Sequence, residues 1–474
     1  MFITGTTLAK TRVVLQVIGG FVIRAIHHFP HGFLWGTATS SHQVEGNNTN
    51  NDWWVWEQEA DRVAQGHQSG EACDWWGGRW REDFDRAMEG GQNAHRLSIE
   101  WSRVEPNPAI WDDSALDHYR QMIKGALDRG LIPMVTLHHF TIPQWVSDRG
   151  GWYDPQIVHY FERYTRKVVA TLHDLVGLWV TINEPNVYYV AGYLEGVWPP
   201  GKKDLRLIPQ VIRHLVMAHA AAYHAIHEIR PDSLVGLAHN YRGFHPANPR
   251  NPLDRWIANF KAHAFNDVFP RAVTDGRIRF PTWRGRVPQA AGTQDFFGLN
   301  YYTVETSAFK LRQLTDRWDY TDFPEGADLS PSGFIANEPE GMWEALRWAH
   351  EYKLPIYVTE NGIEDAEDQI RPRYLAQHLR EVWRAANFNW KVCGYFHWSL
   401  VDNFEWERGW TQRFGLWGLD IRTQERTKRS SAEMYEEICK SNGLSSEIVA
   451  MYAPEVLHSM FPPRGSPELV ASYA

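Results

Sequence analysis

Two stretches of the chain end strand-like runs on an ionisable group. In WVTINEPNVYY (179–189), the strand formers Trp179 to Ile182 lead into Asn183, Glu184 and Pro185. Proline has no N–H to give to a ladder, so the amide and the carboxyl are left at the strand's carboxyl end. In PIYVTENGI (355–363), Ile356 to Thr359 lead in the same way to Glu360, Asn361 and Gly362. Two carboxyl groups on separate strand ends suit cleavage of a glycosidic bond, in which one protonates the leaving oxygen while the other attacks or activates water. A single Glu in such a place is more often a loop-closing acceptor. The pair therefore has to be weighed with the elements that carry it.

Short β-rich runs recur along the 474 residues: GFLWGTA (32–38), AHRLSIEW (94–101), LIPMVTLHH (131–139), LWVTINE (178–184), SLVGLAHN (233–240), DFFGLNYY (295–302), PIYVTEN (355–361) and VCGYFHWS (392–399). Helical patterns separate them. Before the third run, Leu116, Tyr119, Ile123 and Leu127 share one helix face and Gly130 marks its stop. After it, Asp154 and Pro155 read as N-cap and first residue of a helix carrying Val158, Phe161, Thr165, Val168 and Leu172. Apolar strands alternating with helices predict a parallel sheet covered on both faces, and eight of them predict closure into a single (β/α)8 TIM barrel of the α/β class. The long intervals after runs 1 and 5 predict βα-loop insertions around the mouth. A doubly wound sheet is the alternative, but no glycine-rich phosphate turn follows the first strand. The expected organisation is an N-terminal extension (1–28), a catalytic domain (29–440) and a C-terminal tail (441–474).

Barrel chemistry sits at the carboxyl ends of the strands. These ends offer Gln43 and Glu45 after run 1, Arg96 in run 2, His138 and His139 in run 3, and Asn183 with Glu184 in run 4. They continue with Asn300 and Tyr302 in run 6, Glu360 in run 7, and His397 and Trp398 in run 8, followed by Asp402, Glu405 and Trp406. Such polar groups are costly in a core unless paired or functional. Adjacent strand residues face opposite sides, so His138 and His139 cannot share one metal. Arg96 alone would read as a structural ion-pair partner; on one rim with two carboxyls, amides and tryptophans it belongs to a sugar-cleaving site.

Composition narrows the classes. The hydrophobic share of 43% and charged share of 22% describe a globular chain. A net charge of −9, from 57 acidic and 48 basic residues without a long basic run, gives no sign of a nucleic-acid partner. The three cysteines, Cys73, Cys393 and Cys439, are odd in number and far apart, which predicts a reducing, cytoplasmic setting without disulfides or a thiolate metal site. The apolar run VVLQVIGGFVI near the amino end is too short to span a bilayer and has no evident cleavage site, so no membrane partner is expected. With 24 Trp and 14% aromatic residues, some rings are available to stack on sugar faces.

FPHGFLWGTATSSHQVEG, HRLSIEWSR, TINEP, FFGLNYYT, YVTENG and GYFHWSLVDNFEWERGWTQRFGL together resemble glycoside hydrolase family 1, the retaining β-glycosidases, across residues 29–438. The resemblance implies that Glu184 is the acid/base and Glu360 the nucleophile, with Arg96, Tyr302 and Asn300 supporting Glu360. It implies that Gln43, His139, Asn183, Glu405 and Trp406 bind the glycone, over a Trp398 platform, with no metal or other cofactor. The implied activity is hydrolysis of unphosphorylated β-glucosides, and of galactosides or fucosides. A transglycosidase would use the same residues, and a metal-dependent barrel hydrolase is the more distant alternative. Three positions depart from the family pattern: Phe140 stands where a Trp is usual, Asn186 where many bacterial members have Trp, and Phe334 where a Trp often forms the aglycone platform. They bear on substrate preference. Oligomeric state is not legible.

Overall fold

The computed structural model describes residues 24–310 and 322–462. The apolar run before residue 24 and the last twelve residues of the expected tail lie outside them. Eight parallel strands close into a barrel: β1 (Leu34–Ala38), β2 (Ala94–Ser98), β3 (Ile132–His138), β4 (Leu178–Asn183), β5 (Leu234–Pro246), β6 (Phe297–Ser307), β7 (Ile356–Asn361) and β8 (Val392–His397). Each falls on one of the eight β-rich runs. Closure is made where β8 meets β1, from Gly394 opposite Leu34 to His397 opposite Thr37.

The strands read as apolar runs because both of their faces are covered. Inside, Ala38, Ala94, Met134, Val180, Ala238, Phe296 and Phe396 form one cluster. Gly36 is needed here, since a Cβ at that position would lie 2.7 Å from both the Ala94 carbonyl and the Phe396 ring. Outside, α1 (Asp113–Leu127) buries Leu116, Tyr119 and Ile123, with Asp112 capping its first turn through the Ala115 N–H at 3.0 Å. Leu127, expected on the same buried face, is the last helical residue and is 37% exposed. The next helix, α2 (Ile157–Leu172), begins after the Asp154–Pro155 pair: Asp154 accepts the Gln156 N–H at 3.0 Å in a turn that precedes it. Its buried face is Ile157, Phe161, Tyr164, Val168, Val169 and Leu172, each contributing about 1.5–3 kcal/mol through burial of its side chain.

Two further pairings lie outside the closed barrel. Strands β5 and β6 run on past their runs at 233–240 and 295–302 and stay paired to Pro246 opposite Ser307, forming a ribbon beyond the barrel. At the other end of the chain, Ile26–His28 pairs antiparallel with Gly443–Ser445. Among the described residues, no helix is long and apolar enough to cross a membrane.

Candidate active site

The break after β4 sets the first carboxyl. Asn183 is the last strand residue, Glu184 takes a left-handed backbone conformation (φ +42°), and Pro185 opens the helix Pro185–Tyr189. Proline suits that first helical position because its missing N–H would have had no partner. The left-handed turn is strained for a residue with a side chain. It places the Glu184 carboxyl in a cleft shared with Glu360, Tyr302, His139, Trp398, Glu405 and Trp406. Glu184 Oε1 accepts the side-chain amides of Asn300 at 2.7 Å and Asn240 at 2.9 Å. Among the described residues no cation contacts it directly. Burial, with the charge of Glu360 adding to it, pushes its pKa up to about 8.

The second carboxyl is equally buried and differently held. Glu360 Oε1 lies 2.5 Å from Arg96 Nη1, and Tyr302 donates its hydroxyl to Oε2 at 2.6 Å. Arg96, fully buried itself, also donates to the Thr136 hydroxyl, the Thr359 carbonyl and, at 2.6 Å, Asn183 Oδ1. Burial raises the Glu360 pKa, while Arg96, Tyr302 and Asn300 act against that rise by favouring the anion. Gly362, two residues on, admits the Trp398 carbonyl where a Cβ would clash with it. This accounts for the glycine that ends YVTENG.

A third group lines the side opposite the ribbon. Gln43, in the short helix Ser41–Val44, donates to Glu405 Oε2 at 3.2 Å and to the Phe404 carbonyl at 2.8 Å. Glu405 also takes a hydrogen bond from Trp398, and burial beside Glu407, Glu360 and Glu184 pushes its carboxyl well above the ordinary range. The His139 ring lies nearly parallel to those of Trp398 (24°) and Trp406 (15°). Burial holds His139 neutral, and its Nε2 is 3.1 Å from Asn183 Nδ2.

Every residue singled out for catalysis or sugar binding thus falls on one connected network, except that Asn300 leans more on Glu184 than on Glu360. Other rim candidates point elsewhere. Glu45 pairs with Arg103 and accepts the Tyr119 hydroxyl. His138 packs edge-on against Trp152 and Tyr188. His397 is buried and neutral, and Asp402 is clamped by Arg429 at 2.8 and 2.9 Å. Asn240, absent from the expected site residues, closes the run SLVGLAHN, and that place at the end of an apolar run is the available signal. Of the departures, Phe140 has φ +70° and packs on Trp198, whose indole N–H is given to Glu407 at 2.5 Å and so does not stand in for the missing one. Asn186 donates to the Asn240 carbonyl, and Phe334 is 38% exposed at the mouth beneath Arg408.

Residues 25–444 match the family model described as glycosyl hydrolase family 1. Beta-glucosidase A of Thermotoga maritima is 32% identical, covering 88% of this chain and 99% of its own length. A beta-galactosidase of Pyrococcus woesei is 31% identical over 89% and 98%. The solved beta-glycosidase from Pyrococcus horikoshii superposes with a TM-score of 0.84 at 38% identity, over 90% of this chain and 98% of that one.

Proposed function

The chain belongs to glycosyl hydrolase family 1 and is a β-glycosidase; from that premise we propose that it works by double displacement with Glu360 as nucleophile and Glu184 as acid/base. The observation that carries the assignment is the unequal company of the two carboxyls: Arg96 contacts Glu360 and only amides contact Glu184. A carboxyl that keeps its proton up to about pH 8 is suited to protonate the leaving oxygen. In the first step Glu360 attacks the anomeric carbon, the bond to the leaving oxygen breaks, and the Glu184 proton goes to that oxygen. The product is a glycosyl ester whose carboxyl no longer carries charge. With that charge gone the Glu184 pKa falls, and its carboxylate takes a proton from the water that attacks the anomeric carbon and releases Glu360.

The substrate in this reading is an unphosphorylated β-glucoside or β-galactoside, the sugars named for the two relatives. Glu405 and Gln43 hold neighbouring hydroxyls, His139, Asn183 and Trp406 line the same side, and Trp398 carries the ring. A 6-phosphate would be brought beside Glu405 and its neighbour Glu407, where a doubly charged group is disfavoured. The free cysteines Cys73, Cys393 and Cys439 suit a reducing, cytoplasmic setting. The test is the first product of an aryl β-glucoside followed by NMR: the β-anomer is expected, with carboxyls about 5 Å apart, and an α-anomer would overturn the mechanism.

A further inference from the structure

Outside the cleft, one surface carries charge in an arrangement that its own fold does not explain. The segment RIRFPTWRGR (277–286) forms a two-stranded antiparallel hairpin, Arg277–Phe280 with Trp283–Arg286, in which Arg277 stands opposite Arg286 and Arg279 opposite Arg284. Alternation does the rest. Ile278, Phe280 and Trp283 turn inward onto the hydrophobic core, with the Trp283 ring laid over Gly285, and all four arginines share the other face. Like charges directly opposite one another across strands are destabilising. Arg279 pairs with Asp275 at 2.5 Å, on the adjoining helix Val268–Asp275, and the charge of Arg277 acts on the same carboxylate. Arg277, Arg284 and Arg286 are exposed and make no ion pair among the described residues. This happens in a chain with net charge −9, so the patch is a local inversion of the protein's sign.

We propose that the arginine face of the hairpin 277–286 is a binding site, separate from the cleft, for an acidic polysaccharide carrying sulfate or carboxylate groups. Guanidinium groups pair such oxyanions in bidentate fashion. The ladder sets them at intervals of about 7 Å along a strand and about 5 Å across it, a spacing that engages several anionic groups on one extended chain. Single-stranded nucleic acid would need aromatic rings interleaved with the cations. Here the hairpin's rings face inward. A glycosidic linkage is also what the cleft acts on, so the site would hold the enzyme to a carbohydrate surface while the cleft works.

The test uses the full chain on immobilised heparin, a sulfated polysaccharide, at low salt. Wild type is expected to be retained despite its net negative charge and to be displaced by soluble dextran sulfate. The variant R277Q/R284Q/R286Q should bind roughly tenfold or more weakly, with a shallower salt dependence, while hydrolysis of an aryl β-glucoside is unchanged. A control with the same loss of charge elsewhere, R62Q/K124Q/R206Q, should bind as wild type. Passage of the wild type straight through the column, equal weakening in the control, or displacement by single-stranded RNA at lower concentration than by dextran sulfate would each overturn the proposal. Because retention is read without catalysis, none of these outcomes bears on the roles of Glu184 and Glu360.

Discussion

Glu184 and Glu360 have the same side chain, sit at the same level of the barrel on β4 and β7, and are almost fully buried, at 5% and 3% exposure. Burial therefore cannot tell them apart. What differs is the company each keeps: two amides that cannot neutralise a charge, against a guanidinium and a phenol at 2.5 and 2.6 Å. A buried carboxyl without a cation is cheapest neutral, and one locked to Arg96 is cheapest ionised. In the proposed reaction the acid and the nucleophile are thus distinguished by residues from other strands, Arg96 on β2 above all.

The comparison can be broken outright at Glu360. Glu360→Ala should lower kcat by about 10^4-fold or more, with any leaving group, because no other group can form the ester; steady-state rates on 4-nitrophenyl and phenyl β-glucosides check this. Glu184→Ala should cost about 10^2–10^4-fold with the poorer phenyl leaving group and far less with 2,4-dinitrophenyl. In the wild type, activity should fall as pH rises past about 8, where Glu184 loses its proton. That alkaline limb should vanish in Glu184→Ala.

Removing the difference in company should blur the two roles. Arg96→Met leaves Glu360 buried without its cation, a loss of about 3–5 kcal/mol, so kcat/KM should fall about 10^2–10^4-fold. The acid limb should move to higher pH, because the protonated, inactive form of Glu360 is no longer opposed by Arg96. Asn240→Ala gives the smallest effect and the opposite limb. Its hydrogen bond favours the Glu184 anion, so its loss should move the alkaline limb upward while kcat/KM falls about 2–10-fold. A pH profile of each variant separates the two outcomes.

Much of this was legible before any coordinates. Strands β4 and β7 are apolar runs that stop on NEP and ENG, and the backbone follows them: proline at the first helical position, glycine where the Trp398 carbonyl passes. The opposed directions of His138 and His139 follow from the two-residue period of a strand. What escaped was non-periodic. Nothing in SLVGLAHN says that Asn240 reaches Glu184, because that contact spans 56 residues and depends on strand order. The extension of β5 and β6 past the barrel could not be read either, since YRGFHP lacks a strand pattern and stays paired with its partner across a register shift between Tyr241 and Gly243. The arginine ladder is hidden to a search for basic runs because every second residue is uncharged. Asp154 looked like a helix cap, but the Pro155 that follows it gave a turn first and the helix two residues later.

Arg96 touches groups on β3, β4 and β7, and its pairing with Glu360 spans 264 residues of chain. During synthesis at about 5–20 residues per second, the guanidinium is made roughly 13–50 s before its carboxylate exists. For that interval the first half of the barrel carries an unmatched cation and no means of cleaving a sugar. In the proposed mechanism catalytic competence therefore arrives late, with β7, one strand before the barrel closes, and a nascent or truncated chain lacking β7 is silent toward every glycoside around it.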